Sequence, residues 1–144
     1  MRFFLAFILF SLFFSITAKS KEILNGKIMY NQAIYFLKKN DYKSAFLYFS
    51  GSCYNNYLPG CDMMGITEYQ IDQDKGIKIC KDWVNKLSDS KNKNDQEHLK
   101  KVLQYYIDIF KQLNDKDLSN YFQKRYNKIF LQIKIEKVNP NDHN

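Results

Sequence analysis

The sequence predicts an all-α fold, about six short helices arranged in hairpins behind a cleavable leader. Three observations carry that expectation. Apolar residues recur every three to four positions along most of the chain. Glycine and proline are sparse, five and two in 144 residues, where a barrel or sandwich would need turn signals every ~8–12 residues. The breaks in the apolar pattern fall at short Asn/Asp clusters, which favour turns and helix caps.

The leader comes first. Met1 and Arg2 give a short positive start, and Phe3 to Ile16 (FFLAFILFSLFFSI) is apolar except for Ser11 and Ser15. That run is shorter than the roughly 20 residues a membrane-crossing helix needs, and small residues follow at Thr17-Ala18-Lys19-Ser20, so residues 1–18 read as a signal peptide. Cleavage is expected after Ala18, with Ser20 as the second site and an uncleaved N-terminal anchor as the alternative. No cysteine sits near the cleavage site, which argues against a lipoprotein.

The whole chain carries a net charge of +7; Arg2 is the one charge in the leader, so the mature chain keeps +6. No block of five like charges occurs, and the excess reads as a lysine-rich solvated surface rather than a nucleic-acid or membrane footprint. After cleavage, six phenylalanines and all eleven tyrosines remain to build a core.

Residues 27–39 place Tyr30, Ala33, Ile34 and Leu37 at helical spacing, and Asn40-Asp41 stops that helix and caps the next. Residues 42–54 repeat the pattern through Tyr42, Ala45, Phe46, Phe49 and Cys53. After Asn55-Asn56 a third helix carries Leu58, Cys61, Gly65 and Tyr69, with Pro59 suited to its first turn. A fourth, starting near Asp74, carries Ile77, Cys80, Val84 and Leu87. Residues 88–95 (SDSKNKND) read as a polar loop. Asn94 and Glu97 have capping-box spacing for a fifth helix with Leu99, Val102, Leu103, Tyr106, Phe110 and Leu113. Asn114 to Asp117 breaks it, and a sixth helix carries Leu118, Tyr121, Phe122, Tyr126, Ile129, Phe130 and Ile133. The domain plan is thus a leader over 1–18, helical hairpins over 19–87, the loop over 88–95, a helical pair over 96–138 and a frayed tail over 139–144.

From Ala33 to Gly65 the chain reads AIYFLKKNDYKSAFLYFSGSCYNNYLPGCDMMG. It resembles the short tetratricopeptide-like repeats of the SEL type, and more narrowly the Helicobacter cysteine-rich protein family, over about 55 residues from Tyr30 to Trp83. Lys39-Asn40-Asp41-Tyr42 stands at the family's glycine-aspartate-tyrosine turn, with Asn40 replacing glycine, a mild change because Asn tolerates positive φ. Ala45, Tyr48 and Phe49 match the small and aromatic positions of the second helix. Cys53 and Cys61 match the cysteine pair, and Gly60 and Gly65 match small positions of the next helix. The second unit is degraded: Asp74-Lys75-Gly76 resembles a repeat start, but Val84 stands where a cysteine would, and Cys80 falls at the position of Phe49. Residues 88–144 align with no repeat unit, which leaves the last two helices as divergent units or a terminal cap.

The resemblance implies a Cys53–Cys61 disulfide pinning the turn between adjacent repeats; two buried thiols are the alternative. Cys80 is the odd thiol, with three expected states: a buried apolar residue, an intermolecular link between copies, or a redox-exposed thiol. The three cysteines lack the close CxxC spacing of a zinc site, and His98 and His143 lie in unrelated segments, so neither metal nor cofactor is expected.

No residues assemble into a catalytic constellation. Members of the resembled family have been described as binding or hydrolysing β-lactams, and SDSK (Ser88–Lys91) and SKNK (Ser90–Lys93) match SxxK literally. Both lie in the polar loop, without the companion SDN and KTG elements, and chance accounts for them. Enzymatic activity, with β-lactam or cell-wall-fragment binding or slow hydrolysis as its form, is therefore the minority reading. The main expectation is a periplasmic or secreted module that binds a protein or peptide, with no nucleic-acid partner and no stable membrane span once the leader is removed. A surface lined by the first helix of each hairpin nominates Tyr35, Lys38, Tyr69 and Gln70 as binding residues.

Overall fold

A computed structural model describes the backbone of residues 2–131 and the side chains of residues 19–131. The side chains of residues 1–18, and residues 132–144 with Ile133, the end of the expected 96–138 helical pair and the 139–144 tail, lie outside the described residues. Six α-helices follow in order: α1 (Arg2–Lys38), α2 (Tyr42–Tyr54), α3 (Leu58–Tyr69), α4 (Gln73–Asp89), α5 (Lys93–Gln112) and α6 (Lys116–Tyr126), with a π-helical turn over Asn127–Leu131. The expected all-α class is what the chain adopts. It divides into two compact units, Met1–Trp83 and Val84–Asn144, the division falling inside α4.

In the first unit α1 packs on α2, α2 on α3, and α1 also touches α3. The core of this hairpin stack is Ala33, Ala45 and Phe49, all with zero exposure, flanked by Tyr30, Ile34, Phe36, Leu37, Met63 and Met64. Two small buried residues, Ala33 and Ala45, let the first two helices approach closely, and Phe49 fills the volume beneath them. The helix expected to start at residue 27 is already helical through residues 19–26. Gly26 explains why a weak helix former does not end it. A Cβ at Gly26 would lie 2.6 Å from Tyr57 Cβ and 3.1 Å from the carbonyls of Ser52 and Asn55, so the bare backbone seats against the α2–α3 turn.

The turns share one chemistry. Asn40, Asn56 and Asn114 have φ of 58°, 58° and 61°. Around each, the following residue's N–H reaches back five positions: Asp41 to Phe36 O at 3.0 Å, Tyr57 to Ser52 O at 3.1 Å and Asp115 to Phe110 O at 2.9 Å. This is the helix-ending pattern in which a left-handed residue lets the last carbonyls find donors, and asparagine adopts it more readily than other non-glycine residues. Aspartates then cap the next helices. Asp41 accepts from Ser44 N at 3.1 Å, Asp72 from Lys75 N at 3.1 Å and Asp115 from Leu118 N at 3.0 Å.

Those caps set an acid limit. The Asp41 carboxyl is held below its ordinary 3.8 by hydrogen bonds from Ser44, and Asp72 is held below 3.8 chiefly by hydrogen bonds from Lys75. A carboxyl lowered on folding contributes stability that is fully present above its ordinary value and is lost as pH falls through the lower folded value. Helicity followed by circular dichroism should therefore begin to fall below about pH 4. The Asp41→Asn, Asp72→Asn double variant should flatten that fall.

The connection between α4 and α5 is shorter than the eight-residue loop expected. Only Ser90–Asn92 are non-helical. Gln96 is the reason: its side-chain amide donates to Leu87 O at 3.1 Å and Ser90 O at 2.7 Å, satisfying the open end of α4. The cap of α5 is Asn92, accepting from Asn94 N at 2.9 Å, in place of the Asn94/Glu97 box.

In the second unit α5 packs on α6, around Leu99, Val102, Leu103, Tyr106, Ile107, Phe110, Leu118 and Phe122, all under 9% exposed. This hairpin shares its turn and an aromatic stack with the α1–α2 hairpin at an offset of 74 positions, a likeness the sequence alone did not reveal. Phe36-x-x-x-Asn40-Asp41 corresponds to Phe110-x-x-x-Asn114-Asp115, and Ala45 corresponds to Ser119. The aromatic stack across the helices is also reproduced: Phe36 on Tyr48 at 5.3 Å and 19°, Phe110 on Phe122 at 5.8 Å and 17°.

Candidate functional site

Two helix crossings organise the first unit, and both depend on glycine. At the α2–α3 crossing a Cβ on Gly60 would lie 2.6 Å from Ser52 Cβ and 2.9 Å from Cys53 N. Ser52 and Gly60 each precede a cysteine, so the close approach they permit brings Cys53 and Cys61 to a Cα separation of 4.6 Å, bonded as a disulfide. Cys53 lies in the last turn of α2 and Cys61 in the first turn of α3, so the bridge clamps the turn between them.

At the α3–α4 crossing a Cβ on Gly65 would lie 2.5 Å from Cys80 Sγ and 2.9 Å from Cys80 N. Cys80 has zero exposure and is not part of a disulfide. A compact apolar side chain is what a glycine-lined crossing accommodates, and a sulfur so placed reaches another chain only if α3 and α4 separate. Gly76 is tighter still. Its Cβ would fall inside contact distance of the Tyr69 backbone N and Cα, and backbone cannot rotate away. Gly76→Ala is expected to cost about 2 kcal/mol in urea unfolding, the range for overpacking a well-packed site.

A polar cluster lies beside the bridge. Trp83 Nε1 donates to Asp62 Oδ1 at 2.8 Å, and Tyr30 meets Tyr57 edge-on at 5.5 Å and Phe49 at 5.4 Å. The Tyr30 phenol is pushed above its ordinary 10.0 by burial first, then by Tyr57 and Asp62.

The four nominated binding residues form two pairs, each near the C-terminal end of the first helix of a hairpin. Tyr35 is 51% exposed on α1; Lys39 places its ammonium 4.2 Å over the Tyr35 ring and donates to the Tyr35 hydroxyl. Lys38 is exposed in the last turn of α1, Tyr69 is half-buried at the end of α3, and Gln70 is its exposed C-cap.

Sequence reasoning missed two other features. The first is a solvent-facing apolar surface on the α1–α2 hairpin. Leu24 and Ile28 are 58% and 53% exposed, and Tyr48, expected at a packed aromatic position, is 37% exposed on top of Phe36. The second is a depression of about 350 Å³ between α5 and α6, lined by Ile107, Lys111, Lys116, Ser119, Asn120 and Gln123. At the 74-position offset these match Ala33, Leu37, Tyr42, Ala45, Phe46 and Phe49. What is core in one hairpin is a polar groove in the other.

No protein-family model, curated protein or solved structure matches this chain. Its chemistry must be read from its own residues. The Ser88 hydroxyl donates to Val84 O at 2.7 Å and the Ser90 hydroxyl to Asp95 at 2.5 Å, so each literal SxxK serine is engaged in helix-end bonding. Among the described residues, no group of three or more His, Cys, Asp or Glu side chains is placed to hold a metal ion, and no helix is long and apolar enough to cross a membrane.

Proposed function

We propose that this chain is an exported, SEL-like helical-repeat protein that works by binding another protein or peptide in the periplasm or outside the cell. The observation that carries the binding reading is the exposed apolar and aromatic surface of α1–α2, with Leu24, Ile28, Tyr35 and Tyr48 all at least 37% exposed. Leu24, Ile28 and Tyr35 recur at helical spacing along one side of α1, and apolar side chains grouped in that way mark an interaction site more often than an idle surface. The Cys53–Cys61 disulfide supports an oxidising compartment, because such bonds are rare where glutathione keeps thiols reduced. The two hairpins that share a turn and an aromatic stack support the repeat reading.

The test is photo-crosslinking in the native cells, with benzoylphenylalanine placed singly at exposed positions of α1, α2 and α3. A discrete adduct with one protein from neighbouring positions is the expected result. Adducts from none of them, together with turnover of a chromogenic cephalosporin by the purified chain, would replace binding with catalysis.

A further inference from the structure

The groove between α5 and α6 has a closed floor and a cationic end. Ile107 and Ser119, 7% and 9% exposed, form the floor, and the Ser119 hydroxyl ties the two helices together by donating to Ile107 O at 2.9 Å. The walls are the exposed side chains of Lys111 and Lys116 at the turn end and of Asn120 and Gln123 further along α6. None of the lining side chains is acidic. Nearby carboxylates are engaged elsewhere: Asp108 accepts from the Gln104 amide at 3.2 Å, and Asp115 caps α6 through Leu118 N at 3.0 Å.

The two lysines differ in what they do for the fold. Lys111, in the last turn of α5, complements that helix's dipole. Lys116 opens α6 and so stands at the positive end of its dipole, where a cation is unfavourable. Its position adds positive charge to the groove without helping the helix that carries it.

Going beyond the α1–α2 surface that carries the binding reading, we infer that this groove holds about three residues of an extended peptide, with a carboxylate side chain at the lysine end. The length follows from α6. Lys116 and Gln123 stand two turns apart, a span of about 10 Å, which an extended chain covers in about three residues. A volume of about 350 Å³ lies at the small end of ligand sites, on the order of 300–1,000 Å³, and suits a short segment. A peptide backbone fits the middle of the groove because a carboxamide side chain both donates and accepts, as Asn120 and Gln123 can toward a peptide C=O and N–H. The carboxylate follows from two lysines in a lining without an acid.

The experiment titrates the full mature chain, labelled with nitrogen-15 and with its disulfide intact, with end-blocked pentapeptides carrying glutamate, glutamine or lysine at the central position, and reads amide chemical shifts. The glutamate peptide should shift amides between Ile107 and Gln123 and bind about fivefold more tightly than the glutamine peptide at low salt, with the gap closing as salt rises. Lys116→Glu should abolish that preference while leaving stability in urea equal or higher, because an acid suits the first turn of a helix. Asn120→Ala should weaken both peptides alike. Equal binding of the glutamate and glutamine peptides would overturn the inference, as would a preference that survives Lys116→Glu. Glutarate bound as tightly as the glutamate peptide would also overturn it, since a small acid would then be the ligand. Shifts confined to α1–α2 would overturn it while supporting the binding reading, and no shifts at all would overturn it without touching that reading.

Discussion

Phe122→Ala is expected to cost about 3–5 kcal/mol, while Tyr48→Ala, at the equivalent place in the other hairpin, costs about 1 kcal/mol or less. The two side chains stack on equivalent partners, Phe110 and Phe36, in nearly the same geometry. They differ in cover. Phe122 has zero exposure and also meets the Tyr106 ring at 5.1 Å, so truncation removes transfer free energy and leaves a cavity in a packed core. Tyr48 is 37% exposed, so its truncation leaves no enclosed cavity and removes chiefly its stacking on Phe36. Urea unfolding of the two variants measures the difference. Similar costs would mean that the Tyr48 side chain is covered when the protein is alone in solution.

Removing the bridge has the second large effect. The Cys53→Ser, Cys61→Ser double variant should lose roughly 2–3 kcal/mol, the loop-closure entropy of a nine-residue ring. In a unit of this size that corresponds to a fall in melting temperature on the order of 10–20 °C. The helices should still cross at Ser52 and Gly60, because the small residues that allow the approach remain. Far-ultraviolet circular dichroism should therefore keep its helical shape at low temperature while the midpoint drops. A midpoint unchanged from the parent would show that the bridge constrains nothing that packing does not already hold.

The legible part of this fold lay in short-range signals. The α2 boundaries, Pro59 in the first turn of α3, the Asp41 cap and the Asn40 turn are decided by neighbours within a few residues, and each was readable in advance. The parts that were not readable depend on distant partners. Helix through residues 19–26 is held at Gly26 by Tyr57, 31 positions away in sequence. The polar run 88–95 collapses to three connecting residues because Gln96 folds back onto α4, and polarity alone does not forecast that.

The likeness between α5–α6 and α1–α2 was hidden for a different reason. The hairpins share the Phe, Asn and Asp of the turn and a small residue after the cap, but exchange the character of nearly every other face-forming position. Leu37, Phe46 and Phe49 become Lys111, Asn120 and Gln123. Periodicity can say that Tyr35 and Tyr48 lie near the surface of a hairpin; it cannot say whether another helix covers them. The nominated residues Tyr35 and Lys38 adjoin the exposed face, whereas Ile28 and Tyr48 emerged only from comparing the two hairpins.

The most direct test of an exported, disulfide-pinned binding module is the intact mass of the protein recovered from its native compartment, denatured and alkylated without reduction beside a reduced control. The account predicts a single-chain mass beginning at Lys19, or at Lys21 if cleavage follows Ser20, with one alkylated cysteine before reduction and three after it. A mass that still includes Met1 to Ala18, with all three cysteines alkylated before reduction, would contradict both export and the bridge.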